Sequence, residues 1–415
     1  MGTPFSATQI GSSLPLEGLV VIDFSWALAG PWLTKILAEH GATVIRIESS
    51  RRLDVNRRSG PYRDGIPGVN RTAHWACLNN DKLDITLNLK HPRAAGIVRK
   101  LVVRADVVVE NFTPGSVGKL GLGYQSLTAV NPGIIMVSLS AQGQTGPHSK
   151  SSGYGWLLQA LSGLQFVSGF PDRPPVNAPG SQVTDYCGSY FGMVAIMAAL
   201  DHRARTGLGQ YIDLSEMEGA VSLLGVFLLD YVVNGREVLP MANRHPSATP
   251  HGIFRCRGSD RWCAVSVGND DGWQNLIAAM PAPQWAADPR LSTAKGRKDN
   301  EDELERLLEV FTTNFTAEQL MAMLQALGIA AGAVEDIEDA FADPQLRWRR
   351  HFQALEHGEI GWHQYAAPGF KLCSTPHALR RAAPILGQDN EYVYRELLGL
   401  SPADYAEMSA AGVFD

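Results

Sequence analysis

The chain has 415 residues, 45% hydrophobic and 19% charged, enough material for two or three domains of about 150 residues each. Its 36 Lys and Arg against 42 Asp and Glu leave a formal net charge of −6. That excludes a protein built to coat nucleic acid or an anionic membrane.

Residues 1–15 are polar and Gly/Ser-rich and read as a tail. They lack a basic start followed by an apolar stretch, so no signal peptide is expected. A strand is predicted at 19–24 (LVVIDF), then a helix at 31–40 opened by Pro31 and closed by Gly41, then a strand at 43–47. The continuous Val/Ile runs mark strands covered on both faces, as in a parallel sheet. Further strands are predicted at 106–110 (DVVVE) and 134–139 (IIMVSL), with a helical stretch at 92–104. This alternation predicts an open α/β fold. Residues 51–71 and 142–152 read as loops, and 188–205 and 216–231 as apolar helices. The longest apolar runs are about ten residues, half of a membrane span. Residues 234–250 look like a linker, 254–267 like a hairpin, and 272–280 and 300–327 like helices. Residues 335–415 read as short helices and turns that pack back on the first domain. The five cysteines, Cys77, Cys187, Cys256, Cys263 and Cys373, are widely spaced without a CxxC pair. Free thiols and a cytoplasmic location are expected.

A strand, a turn, a helix and a strand invite a dinucleotide-site reading, with Glu48 as the ribose acid. The turn Ser25-Trp26-Ala27-Leu28-Ala29-Gly30-Pro31 holds one glycine where that fingerprint needs three. The fold is therefore predicted to be Rossmann-like without that ligand.

Five blocks, LEGLVVIDFSWALAGPWLTKILAEHGATVIRIE (16–48), NNDKLDITLNLK (79–90), ADVVVENFTPGSVGKLGLGY (105–124), NPGIIMVSLSAQGQTGP (131–147) and VTDYCGSYFGMVAIMAALDHRARTGLGQYIDLS (183–215), occur in order. Together they resemble the class III coenzyme A transferases, the family of formyl-CoA transferase and carnitine CoA-transferase. The resemblance implies a Rossmann-like open sheet in a large domain formed from both chain ends (16–230 and 335–415), with a smaller inserted α+β domain (245–330). It also implies an interlocked dimer. No cofactor is bound permanently; a coenzyme A thioester enters as substrate. The partners implied are an acyl-CoA and a carboxylic acid, and either a second copy or a related subunit, with no nucleic acid and no membrane.

The family's catalytic aspartate falls at Asp185. Read alone, Asp185 ahead of an apolar helix also suits a helix cap. The implied chemistry is covalent: Asp185 attacks the donor thioester, an anhydride forms, and thiolate converts it to an aspartyl-CoA thioester that the acceptor acid attacks. Glycine-rich loops at Gly143, Gly146 and Gly268 are candidates to exclude water. Cys187 is a rival nucleophile with no histidine near it in sequence. By position in the blocks, the CoA-binding candidates are Leu87, Lys90, Asn111 through its amide, Phe112 by packing, and Lys119. Formyl-CoA transferase has an arginine after the acid ending its second strand; Ser49 stands here, so Arg51 or Arg52 must substitute.

The related α-methylacyl-CoA racemases add a histidine as second acid–base group. Tyr154 stands at that position and Gly155 follows, which favours transfer over racemisation, since a phenol near 10 is a poor base there. Where formyl-CoA transferase has a pocket glutamine, this chain has Leu28. The acyl pocket is expected from Trp26, Ala27 and Leu28 facing Gln142, Gly143 and Tyr154. Its apolar lining points to a succinyl-type donor and a bulky or aromatic acceptor. His245 and His251 border the small domain. The alternatives are the racemase, or a non-catalytic subunit of a heteromeric transferase.

Overall fold

Six short strands form one sheet: β1 Val20–Asp23, β2 Thr43–Glu48, β3 Leu83–Thr86, β4 Val107–Glu110, β5 Ile135–Ser140 and β6 Tyr211–Ser215. They come from a computed structural model that describes residues 14–151, 153–176, 182–281 and 283–415. Most of the expected N-terminal tail, and Ser152, lie outside the described residues. Every pairing is parallel and the order is β3-β2-β1-β4-β5-β6, the order of doubly wound sheets. Ile22 pairs with Ile45 on one side and Val108 on the other. Because side chains alternate faces, Ile22, Ile45, Val108 and Met136 enter one core, and Val21, Val44, Val107 and Ile135 the other.

The helices that matter below are α1 Ala29–Glu39, α2 Ala94–Val102, α3 Gly155–Leu161, α4 Val183–Thr206, α5 Glu216–Ser222 and α6 Gly225–Asn234. Leu33 and Leu37 of α1 and Ile196 and Ala199 of α4 cover one face. Gly192 lets the two helices close up, since a Cβ there would lie 3.0 Å from Leu33 Cδ2. On the other face Ile97, Val98 and Leu101 of α2 pack with Val393, Tyr394, Val413 and Phe414. By length and composition α4 could cross a membrane; here it packs on α1 and β5.

The chain divides into two compact units, Met1–Leu164 with Asn177–Arg236 and Gln345–Asp415, and Gln165–Val176 with Glu237–Pro344. Within the second, His251–Arg255, Trp262–Ser266 and Ala330–Ala333 form an antiparallel sheet. Trp273, Leu276, Leu304, Leu308, Leu320 and Leu324 fill its core. The helical stretch expected at 300–327 is two helices, because Thr316 and Gln319 make a capping box that starts the second at Ala317.

Other differences have physical reasons. β3 was not expected because Asp84 interrupts its apolar run, and β6 because its exposed flank is polar. α4 begins at Val183, five residues before the expected start at 188; free amides in the first turn favour the Asp185 carboxylate. The helix expected at 216–231 is broken at Leu223 and Leu224 into α5 and α6. Residues 335–415 contain an antiparallel hairpin, Phe352–His357 with Gly361–Ala366, beside the expected helices and turns.

A layer of buried charge lies at the β1–β3 end of the sheet. Arg46 sits between Asp23, at 3.2 Å, and Asp54, at 2.7 Å, and Lys82 reaches Asp23 at 3.3 Å. Arg57 bonds Glu48 at 2.7 Å and Asp84 at 3.5 Å, its guanidinium 3.4 Å from the Trp75 ring centre. Asp84 accepts from the Gly387 amide at 2.6 Å and donates its own amide to Asp389 at 2.8 Å. Burial opposes ionisation of Asp23, but Arg46 and Lys82 outweigh it and hold the carboxyl at about 2. Removing Arg57 strands two buried acids, so Arg57→Ala should cost about 3–5 kcal/mol in urea unfolding. Arg93→Ala, which breaks an exposed pair with Glu407, should cost about 1 kcal/mol or less.

Candidate active site

β5 and β6 end side by side, with Ser140 opposite Ser215, and α5 begins at the next residue. The Ser215 hydroxyl accepts from the Glu218 amide at 3.2 Å and caps α5. Glu216, first in the helix, is only 6% exposed. Its carboxyl is hydrogen-bonded to that of Asp185, the third residue of α4.

Two glycines make the room for this pair. A Cβ on Gly188, one turn beyond Asp185, would lie 2.8 Å from Glu216 Cγ. A Cβ on Gly155, which opens α3, would lie 2.4 Å from Asp185 Oδ2. Thr184 Oγ1 donates to the Gly155 carbonyl at 3.0 Å and ties α3 to α4. The Ser189 hydroxyl lies 2.6 Å from the Ala29 carbonyl and 2.8 Å from that of Asp185, linking the start of α4 to the start of α1.

Burial raises the Asp185 carboxyl, and the hydrogen bond from Glu216 only partly offsets this. Burial raises Glu216 further, with the negative Asp185 beside it adding to the effect. A hydrogen bond between two carboxyl groups needs one proton, and Glu216, the more deeply buried of the two, costs more to ionise and so carries it. Asp185 is then the anion, in the first turn of a helix that favours it.

A second cluster forms at the ends of β1, β2 and β4. Asn111 Oδ1 accepts from the Trp26 amide at 2.7 Å, and Asn111 Nδ2 donates to the Trp26 carbonyl at 2.8 Å. Ala27 has φ 60°, a strained value for a residue with a side chain. Its amide donates to Asp54 at 3.2 Å and its carbonyl accepts from Asn56 Nδ2. The Phe112 ring meets Trp26 edge-on at 5.9 Å and the Arg52 guanidinium lies 5.0 Å from the Trp26 ring. Trp26, Ala27, Arg52, Asn111 and Phe112 are thus brought together, with half-buried Leu28 leading into α1.

The other expected site residues scatter around these clusters. Asn111 was expected to offer its amide to a ligand; both ends of that amide are bound to Trp26. Leu87 is fully buried and its amide donates to the Glu48 carbonyl at 2.8 Å. Lys90 and Lys119 are exposed. Arg51 pairs with Asp415 at 2.6 Å, and Ser49 Oγ donates to the Asp415 carbonyl at 2.9 Å. Gln142 and Gly143 follow β5, and Gly143, at φ 82°, faces Asp213 beside the start of α5. Tyr154 precedes α3 and is 63% exposed. Burial pushes the Cys187 thiol up, away from the thiolate a nucleophile needs. Gly268, His245 and His251 belong to the second unit, where His251 Nδ1 lies 2.8 Å from Ser266 Oγ.

Sequence reasoning missed Glu216, Asp54 and Asn56. Ser215-x-x-Glu218 is a legible capping signal, but it makes Glu216 look like a surface helix starter. Asp54 and Asn56 sit in a stretch that reads only as loop.

Residues 16–390 match the model of CoA-transferase family III. The chain is 32% identical over 96% of its length to a succinyl-CoA–D-citramalate CoA-transferase of Chloroflexus aurantiacus, covering 98% of that protein. It is 33% identical over 92% of its length to a succinate–glutarate CoA-transferase of Agrobacterium fabrum, covering 96% of it. A solved CAIB/BAIF family protein from Brucella suis superimposes with a TM-score of 0.84 at 31% identity, over 92% of this chain and 99% of that one.

Gly155→Ala forces a methyl group onto Asp185. It should lower turnover about 100-fold, as a displacement near 1 Å does, at a cost of about 1–3 kcal/mol in stability; steady-state assay of the folded variant and urea denaturation together check this.

Proposed function

Since the chain belongs to CoA-transferase family III and is a CoA-transferase of that class, we propose that it moves coenzyme A from a succinyl-type thioester to a carboxylic acid through covalent intermediates on Asp185. The observation that carries this reading is the half-buried Asp185 carboxyl at the start of α4, packed against Gly155 and beside the buried carboxyl of Glu216.

An Asp185 oxygen attacks the donor carbonyl carbon, the C–S bond breaks, and CoA thiolate leaves with that electron pair. The product is a mixed anhydride. Thiolate then attacks the aspartyl carbonyl and expels the donor acid, giving aspartyl-CoA. The acceptor carboxylate repeats the sequence in reverse order. A carboxylate is a weak nucleophile and an anhydride hydrolyses readily, so burial serves both needs.

The cluster of Trp26, Arg52, Asn111 and Phe112 is the proposed CoA and acyl-binding wall. Asn111 acts there by fixing the Trp26 backbone. Leu87, Lys90, Lys119 and Arg51 complete the CoA-binding set, and Leu28, Gln142, Gly143 and Tyr154 the acyl side. Relatives named for citramalate and glutarate support a succinyl-type donor. Trp26 and Leu28 support an acceptor with a bulky or aromatic body. The small unit is proposed as an inserted domain, and the working form as an interlocked dimer in the cytoplasm. What supports a partner subunit is α6: every residue is at least partly exposed, with Val226 79%, Val232 77% and Val233 74% accessible. Contiguous apolar surface of this kind marks an interface.

Asp185→Asn should reduce transfer from succinyl-CoA to glutarate or citramalate on the order of 10⁴-fold or more. Hydroxylamine trapping with mass spectrometry should find an aspartyl adduct in the wild type and none in the variant. Light scattering of the chain expressed alone should give twice the 45.0 kDa monomer mass.

A further inference from the structure

Asp185 meets two demands that conflict. It must be ionised to attack, and its carbonyl must later carry negative charge when thiolate or acceptor adds to it. Glu216 is placed for both. It is nearly inaccessible, it contacts the reacting carboxyl directly, and Gly188 is shaped around its side chain.

We propose that Glu216 remains protonated throughout turnover and donates its hydrogen bond to the Asp185 carboxylate in the resting enzyme and to the aspartyl carbonyl oxygen in every covalent intermediate. The proposal rests on the reading of Asp185 as nucleophile. In the resting state the O–H of Glu216 fixes one Asp185 oxygen and leaves the other to attack. When that oxygen bonds the donor carbon and thiolate departs, the fixed oxygen becomes the aspartyl carbonyl. Thiolate adding to the aspartyl carbon pushes an electron pair onto this oxygen. The Glu216 hydrogen bond stabilises the resulting oxyanion until it collapses and expels the donor carboxylate. The acceptor step passes through the same oxyanion. No proton changes owner, so the pair needs neither recharging nor water.

The surroundings keep the proton in place. α4 faces Glu216 with Asp185, and Tyr186 and Cys187 follow on the same turn; α3 carries no titratable side chain, β6 adds Tyr211 and Asp213, and α5 itself adds Glu218. Burial and the Asp185 charge both raise Glu216. The competent form is therefore lost as pH rises through that raised value, while ionisation of Asp185 sets the acidic limb.

Glu216→Gln keeps size and donor, and Glu216→Ala removes both. With succinyl-CoA and glutarate as probes, Glu216→Gln should retain turnover within about tenfold at neutral pH, whereas Glu216→Ala should lose about 100- to 1000-fold, the cost of one oxyanion donor. The alkaline limb of the wild-type profile should vanish in Glu216→Gln. An alkaline limb unchanged in Glu216→Gln, a Glu216→Gln variant as impaired as Glu216→Ala, or an unimpaired Glu216→Ala overturns the proposal. The resting protein gives a readout that does not depend on turnover. A wild-type minus Glu216→Gln infrared difference spectrum at neutral pH should contain a protonated carboxyl band that shifts in Asp185→Asn. Absence of that band also overturns the proposal. Full transfer by Asp185→Asn with the band present would instead overturn the nucleophile assignment and, with it, the role of Glu216 in the covalent intermediates, leaving only the protonated resting pair.

Discussion

Arg46 and Arg57, buried between four carboxylates, are the constraint on which the site depends. Ions in a sheet interior are expensive unless every charge is paired and hydrogen-bonded. Meeting that condition fixes Asp54 and Asn56 against the end of β1. Asp54 holds Arg46 with one oxygen and the Ala27 amide with the other, and Asn56 holds the Ala27 carbonyl. Ala27 is thus kept at φ 60° by groups whose own positions are set by the ion pairs. Strain of this kind persists only where the surroundings over-determine it. The turn carrying Trp26 is in this sense an outgrowth of the electrostatics of the sheet.

Asp23 and Asp185 are two aspartates in opposite electrostatic settings. Asp23 is surrounded by Arg46, Lys82, Ser25 and Thr34 and is held at about 2. An anion stabilised that strongly is a good structural counter-ion and a poor nucleophile. In the proposed pair Asp185 has a neutral acid as its hydrogen-bond partner, and burial leaves its affinity for protons raised. A carboxylate that is ionised but not deeply stabilised is the more reactive species. The two differ both in partner and in depth, since Asp23 is fully buried and Asp185 only partly.

Much of the fold was legible because β1, β2, β4 and β5 are Val/Ile runs buried on both faces. β3 was not, since Asp84 sits where the pattern demands an apolar residue and is tolerated because the Gly387 amide and Arg57, both distant in sequence, are folded against it. The site divides in the same way. Asp185 was singled out through the family resemblance; taken alone it read first as a helix cap, a position that Gln182 occupies instead. Glu216 was illegible, because the same four residues that start α5 also account for an ordinary surface acid. Asn111 was expected to offer its amide to a ligand, yet both ends of that amide are spent on Trp26, a commitment set by tertiary contact.

The division between buried and exposed cations also explains how an acidic chain can serve a polyanionic substrate. Arg46, Arg57 and Lys82 are sealed into the sheet and have no reach to solvent. Arg51, Arg52, Lys90 and Lys119 are exposed on segments that follow β2, β3 and β4, the carboxyl ends where open parallel sheets take their ligands. Arg52 is already oriented by Trp26, which lowers the entropy lost when a planar guanidinium engages a phosphate. Net charge counts the buried and exposed ions alike; only the exposed set bears on binding, and its placement at one edge of the sheet matters more than the overall balance of −6.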